Sequence, residues 1–252
     1  EFGVKLTKEK KPRSPVIGNP LTTLMRPIRG KRRRPHGRRI LILGTGYAGD
    51  MTATRSRSCE RHLADIFSVV KRLATQGWSA TYRGHPHHAF QLEGELALRT
   101  GVDGLVKWDE NDEFSDSLLE SDVAISSFSS TFYQSLYAGW PTIYYDPAYL
   151  GPADQNQMFP SEIFCGLLTA RDLWRPIANT PDHLLQLILD SKDDDSELVK
   201  FSRDFSTVYS QRFVGPFADD AGTAIADFIE TDMSKSSTID AKSAYQMQRA
   251  CD

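Results

Sequence analysis

From residue 39 onward the apolar positions alternate between two textures. Ile40-Leu41-Ile42-Leu43 is a short continuous run stopping at Gly44, the pattern of a strand buried on both faces. Leu63, Ile66, Phe67, Val70, Leu73 and Ala74 then recur at helical spacing, which predicts a helix over Glu60 to Gln76 with Gly77 as its stop. The same reading gives a second strand over Trp78 to Arg83, a helix over Phe90 to Arg99, a short strand at Gly104-Leu105-Val106 and a brief helix over Phe114 to Leu119. A fourth strand, Asp122 to Ser126, leads through Ser129-Ser130-Thr131 into a helix through Leu136 closed by Gly139, and Pro141 to Tyr145 forms a fifth strand. Helices follow over Pro181 to Asp190, Glu197 to Tyr209 and Phe217 to Ile229, with a marginal one over Ala241 to Arg249. Strands alternating with helices in this way predict an α/β fold, a Rossmann-like doubly wound parallel sheet.

Composition narrows the class without changing that picture. The 252 residues are 40% hydrophobic and 25% charged, which excludes a wholly disordered, collagen-like or disulfide-scaffold chain. No apolar run approaches the ~20 residues of a membrane-spanning helix. The first residues lack the apolar core of a signal peptide, and Cys59, Cys165 and Cys251 are few, odd in number and far apart. A reducing, cytoplasmic location is the expectation. The chain does not begin with Met and is expected to be a piece of a longer polypeptide.

Charge divides the chain. Residues 1–39 carry 13 Lys and Arg against 2 acids, whereas the remainder carries 17 against 31. Five prolines, Pro12, Pro15, Pro20, Pro27 and Pro35, oppose regular structure in the basic part. Residues 1–38 therefore read as a basic linker or arm, 39–230 as the Rossmann-like domain and 231–252 as a flexible tail. An anionic membrane surface is the expected partner of the arm after plain solvent. Nucleic acid is not expected, because no aromatic residues are interleaved with the charges.

Three polar clusters fall at predicted strand ends: Gly44 to Gly49, Gly84-His85-Pro86 and Ser126 to Thr131. Ligands of parallel sheets bind at those ends. Gly44, Gly46 and Gly49, with Thr45 between them, match Gly-x-Gly-x-x-Gly, a loop that admits a ligand close to the backbone. NAD is nevertheless not expected: Asp50 to Ser58 shows no helix opening, and no acid stands at a second strand end to hold a ribose. The hydroxyls of Ser129, Ser130 and Thr131 stand at a helix start, where they either cap the helix or help bind a phosphate. His85, His87 and His88 lack a companion acid or cysteine at zinc-ligand spacing. No metal and no cofactor are expected.

Arg83-Gly84-His85-Pro86, then Asp122-Val123-Ala124-Ile125-Ser126-Ser127-Phe128-Ser129-Ser130-Thr131, then Ala138-Gly139-Trp140-Pro141-Thr142-Ile143-Tyr144-Tyr145-Asp146 form an ordered set. The set resembles the C-terminal, donor-binding half of GT-B-fold transferases of bacterial surface polysaccharides: teichoic-acid polyol-phosphate transferases, bacterial sialyltransferases and polysialyltransferases, and capsule Kdo transferases. The resemblance covers about residues 39–230. It implies that His85 contacts the phosphate of a CMP- or CDP-activated donor and stabilises the leaving nucleotide, as the one catalytic residue named. It further implies that Ser129, Ser130 and Thr131 bind the same phosphate, with Arg83, Pro86 and Gln134 beside them. Related transferases often carry an acid where this chain has Gln134, which can hydrogen-bond a hydroxyl but cannot act as a base. The resemblance also implies a missing N-terminal acceptor domain, a carbohydrate or lipid-linked acceptor, and work at the inner face of the cell membrane. The alternatives are a UDP-sugar GT-B transferase, a nucleotide-sugar epimerase, or a non-catalytic nucleotide-sugar-binding domain.

Overall fold

The computed structural model describes residues 24–25, 27–31, 37–44, 53–85, 91–127, 129–147, 176–209, 223, 225–227 and 229–231. The chain divides into two compact units, one of residues 24–209 and one of residues 1–23 with 210–252. In the second unit the described residues from 223 to 231 are helical, with Thr231 Oγ1 donating to the Asp227 carbonyl at 2.7 Å. The helix over Ala241 to Arg249 lies outside the described residues.

The larger unit contains six parallel strands: β1 (Arg39–Leu43), β2 (Ser79–Arg83), β3 (Val106–Trp108), β4 (Val123–Ser126), β5 (Thr142–Tyr145) and β6 (Ile177–Ala178). Their order across the sheet is β3-β2-β1-β4-β5-β6. The helices are α1 (Ala53–Ala74), α2 (Gln91–Thr100), α3 (Phe114–Leu119), α4 (Ser130–Tyr137), α5 (Pro181–Asp190) and α6 (Glu197–Asp204), the last running into a π-helical turn, Phe205–Tyr209. This is the α/β parallel sheet the periodicity predicts.

Both faces of the sheet are covered, so β4 and β5 are buried at every position. Ile40, Ile42, Ile143 and Tyr145 meet α1, α2 and α5 through residues such as Phe67, Val70 and Ile188 in one core. On the opposite face Phe132 of α4 meets Tyr144 edge to face, with ring centroids 5.5 Å apart. Right-handed crossovers require this division, because the chain runs outward from β1 in one direction and from β4 in the other.

The structure departs from the periodicity most at α1, β3 and β6. Helix α1 begins at Ala53, seven residues before the expected Glu60, because Ala and Arg favour helix without adding to an apolar stripe. The early start removes one of the two grounds against a dinucleotide loop; the other stands, since β2 ends in Arg83-Gly84-His85 and not in an acid. Strand β3 starts at Val106 because Gly104, at φ +74°, turns the chain in a conformation open to glycine. Strand β6 is two residues long, too short for any alternation to reveal.

Residues 24–31, assigned from sequence to the basic arm, belong to the larger unit. Met25 and Ile28 are fully buried. Arg29 donates to Tyr137 Oη at 3.0 Å and to the Ser206 carbonyl at 2.9 Å, and its guanidinium lies 4.6 Å from the Tyr137 ring centroid. Arg38 donates to the Gln76 carbonyl. Several charges that look like a solvated run therefore hold the fold. Among the described residues no helix is long and apolar enough to cross a membrane.

At the amino edge of the sheet Asp122 is buried and accepts from Arg39 three times: from the backbone N–H at 3.0 Å, Nε at 3.0 Å and Nη2 at 3.3 Å. The Asp122 carboxylate lies against the Cα of Gly37, where any Cβ would overlap it. This clamp sets β1 beside β4. Asp122→Ala is expected to cost about 3 kcal/mol in denaturant unfolding, the lower end for a broken buried pair, because Arg39 keeps 35% of its side chain in solvent.

Candidate functional site

The strand register brings the sequence-predicted clusters to one edge. Leu43 pairs with Arg83 and Ile42 with Ile125. Gly44 therefore ends β1 level with Gly84 on one side and Ser127 on the other. Helix α1 leaves the sheet on one face and α4 on the opposite face, which opens a crevice at the carboxyl ends of β1 and β4. His85 lies past β2 and Ser129 past β4, with β1 between them. Two strand spacings make that gap about 10 Å wide.

Gly44 must be glycine for this edge to close. A Cβ there would stand 2.7 Å from Tyr82 Oη, 3.0 Å from the Arg83 carbonyl oxygen and 3.2 Å from Gly84 Cα. The Gly44 N–H donates to that same carbonyl at 2.7 Å. Tyr82 cannot swing away cheaply, being buried, bonded to Glu93 at 3.2 Å and packed edge-on to Trp108.

Helix α4 presents its N-terminus to the crevice. Ser129 is the N-cap in extended backbone, and its Oγ accepts from the Thr131 N–H at 3.3 Å and from Thr131 Oγ1 at 2.8 Å. Phe132 N–H is taken by the Ser129 carbonyl at 3.1 Å. With two bonds accepted, the Ser129 hydroxyl still has a proton to donate. Capping and anion binding are thus compatible in one residue. Ser130 is exposed at the first helical position, where the N–H has no intrahelical acceptor and sits at the positive dipole end. Gln134 stands one turn further along the stripe of Ser130; it is 7% exposed, and its side-chain amide makes no hydrogen bond among the described residues.

Similar architecture occurs in solved structures. The wall teichoic acid polymerase TagF, in a variant soaked with CDPG for 15 minutes, superposes with a TM-score of 0.50 and 17% identity, over 88% of this chain and 50% of that one. The 30-minute soak gives 0.50 and 16%, over 87% and 51%. A Thermobaculum terrenum O-GlcNAc transferase mutant gives 0.46 and 14%, over 77% and 36%. The fold is that of GT-B transferases. The chain spans about half the length of the TagF chains it resembles. No protein-family model and no curated protein matches it.

Within this GT-B half, Arg83 is directed away from β1. Its guanidinium donates to Asp109 Oδ2 at 2.7 Å, Ser117 Oγ at 2.9 Å and the carbonyls of Asn111 and Asp112 at 2.7 and 2.9 Å. All four partners lie on the connection from β3 into α3, and the Asp109 side chain is almost wholly buried. Arg83 braces that loop, a role sequence spacing could not reveal because its partners are 26 to 34 residues away. Thr45, Gly46, Gly49 and Pro86 lie outside the described residues, as do His87 and His88. A separate cleft of about 410 Å³, lined by Lys31, Gly139, Pro141 and Arg203, lies at the amino edge of β5, opposite the crevice.

One polar cluster went unnoticed in the sequence because it sits on the apolar stripe of α1. His62, four residues before Ile66, is buried, and its Nε2 lies 3.0 Å from the Tyr145 carbonyl oxygen. The two rings pack at 5.2 Å, and Tyr145 Oη donates to Asp65 Oδ2 at 2.9 Å. Burial pushes the His62 imidazole below its ordinary value, against the smaller opposing pull of the Tyr145 carbonyl, Asp146 and Asp65. Burial and the bond to Asp65 likewise push the Tyr145 phenol up.

The neutral imidazole is thus the form that fits. The unfolded chain takes up the proton first, at about pH 6.5, so stability should fall as pH drops below that value and level off once the folded form is also protonated. His62→Gln is expected to flatten the pH 5–7 part of a denaturation profile while lowering stability at pH 8.

Proposed function

We propose that this chain is the donor-binding half of a transferase in bacterial surface-polysaccharide assembly, using a CMP- or CDP-activated donor. The donor phosphate lies in the crevice between His85 and the first turn of α4. The observation that carries this reading is the register, which levels Gly44, Gly84 and Ser127 and sets His85 and an open helix N-terminus on either side of β1. Neutral donors at a helix N-terminus, with close backbone approach, suit a phosphate. The CDPG soaked into TagF, whose fold this chain shares, supports a cytidine donor.

The chemistry follows from where charge develops. As the bond from the transferred group to the donor phosphate breaks, negative charge builds on the departing phosphate oxygen. Preorganised donors aimed there act on the transition state. His85 supplies one from the β2 side, and the Ser129 hydroxyl and the Ser130 N–H and hydroxyl supply others from α4; Thr131, expected from sequence to bind the phosphate too, instead gives both its donors to Ser129 Oγ and orients that hydroxyl. Gln134 binds a hydroxyl of the donor. The acceptor, carbohydrate or lipid-linked, is presented by a second domain, which also supplies any base.

CMP and CDP are expected to raise the melting temperature more than UMP, GMP or NAD, since a ligand of the folded state stabilises it by mass action. His85→Ala and Ser130→Ala should each weaken CMP binding about tenfold, as for a charge-assisted hydrogen bond. Equal protection by NAD, or unchanged affinity in both variants, would place the site elsewhere.

The fold engages Arg29, Arg38 and Arg39, whereas Arg32-Arg33-Arg34, which follow Lys31, lie outside the described residues. We assign them to an anionic membrane surface, where a lipid-linked acceptor would be met. The chain should co-sediment with anionic but not neutral vesicles, and lose them as salt shortens the screening length from ~10 Å at 0.1 M to ~3 Å at 1 M. Replacing Arg32, Arg33 and Arg34 with Ala should remove most of that binding; retention would refute the assignment.

A further inference from the structure

We infer that the cleft at the amino edge of β5 is a second anion site, separate from the donor crevice, and that it takes the phosphate of a lipid headgroup. The inference rests on the membrane reading of Arg32-Arg33-Arg34 and turns a diffuse attraction into a defined pocket.

The cleft forms where α4 ends. Gly139, at φ +79°, turns the chain out of the helix, and Pro141 leads it into β5. Ala138, Pro141 and Val199 are buried and make an apolar floor. Lys31, Arg203 and Thr207 line the same cleft and are exposed, so they form its mouth. Its volume of about 410 Å³ is larger than one phosphate needs and falls in the range of small-ligand pockets.

A helix C-terminus ordinarily repels an anion, because its last carbonyls are open and its dipole is negative there. In this chain the protein itself neutralises that end. The Gln134, Ser135 and Leu136 carbonyls accept from the backbone N–H groups of Ala138, Trp140 and Gly139 at 3.0, 2.9 and 2.9 Å. The Tyr137 carbonyl accepts from Ser206 Oγ at 2.7 Å, and the Arg29 guanidinium stands over the Tyr137 ring. The cations that face the cleft are therefore left for another partner. Lys31 Nζ meets none among the described residues, and the Arg203 guanidinium makes one long contact there, 3.4 Å to the Asp194 carbonyl. Asp194 is the one acid among the described lining residues, against two cations. Its neighbours are engaged elsewhere: Asp193 Oδ1 accepts from the Asp195 N–H at 2.9 Å, and Asp195 faces Lys200 at 4.0 Å.

Guanidinium and ammonium donors on one cleft fit the oxygens of a phosphate, the guanidinium two at a time. The source of that phosphate follows from what adjoins the cleft. Lys31 continues directly into Arg32-Arg33-Arg34, so the run assigned to the membrane begins at the mouth. The apolar floor suits the glycerol carbons beside a headgroup phosphate.

Co-sedimentation of the full chain with vesicles matched in surface potential tests the assignment. One set carries phosphatidic acid, whose phosphate monoester is open, and the other phosphatidylserine. Arginines acting through the surface potential alone respond equally to both. The unaltered chain should bind the phosphatidic acid set about fivefold more tightly, the scale of a well-placed exposed ion pair. Lys31→Gln combined with Arg203→Gln should abolish that preference, keep most of the phosphatidylserine binding and leave CMP affinity unchanged. Replacing Arg32, Arg33 and Arg34 with Ala should weaken binding to both sets and keep their ratio. Equal binding of the unaltered chain to both sets would overturn the inference while the membrane reading stands; binding to neither would overturn both. A preference that survives the double substitution would place the phosphate outside this cleft. If glycerol 3-phosphate moves the Gly139 and Ser206 amides while vesicles show no preference, the cleft takes soluble phosphate esters and the lipid assignment fails.

Discussion

Strand β1 hydrogen-bonds to β2 on one side and to β4 on the other, and the crevice at their carboxyl ends depends on that branching. A helix following β1 must cover one face and a helix following β4 the opposite one, so neither covers the edge between them. The Asp122 clamp to Arg39 sets the two strands side by side at their amino ends, and the glycine at 44 lets β1 and β2 approach at their carboxyl ends. One interaction fixes the register and the other preserves the opening. The crevice is thus a product of backbone pairing before any side chain enters it.

Helix α4 ties that crevice to the rest of the unit. Its first turn carries the Ser129 cap and the open Ser130 amide, while its last residue, Tyr137, is fully buried. Ser206 Oγ donates to the Tyr137 carbonyl at 2.7 Å, and Arg29 meets both the Tyr137 hydroxyl and the Ser206 carbonyl. A cation at the negative end of the dipole and donors left open at the positive end favour the same orientation. The segment from Met25 to Arg29 thereby supports the ligand-facing helix from its far end, although it reads in the sequence as part of a charged arm.

The strands and most helices were legible because they bury apolar residues at their own period: Ile40 to Leu43, the Leu63 to Ala74 stripe and Val123 to Ile125 could hardly be read otherwise. Glycine and hydroxyl clusters at the strand ends were legible for a related reason, since those residue types have few uses in the middle of an element. What escaped was set by contacts distant in sequence. Arg83 looked like a cation beside His85 until its partners on the β3–α3 connection appeared. His62 hid on an apolar stripe, and its partner, the Tyr145 carbonyl, is 83 residues away.

The central claim, that a cytidine nucleotide's phosphate sits across the β1 edge, is tested most directly by amide chemical-shift mapping with CMP. The account predicts the largest shifts at Gly44, Gly84, His85, Ser130 and Thr131, with Gly139 and Ser206 at the opposite edge unmoved. Shifts centred on Gly139, Arg203 and Ser206, with the β1 edge silent, would contradict it.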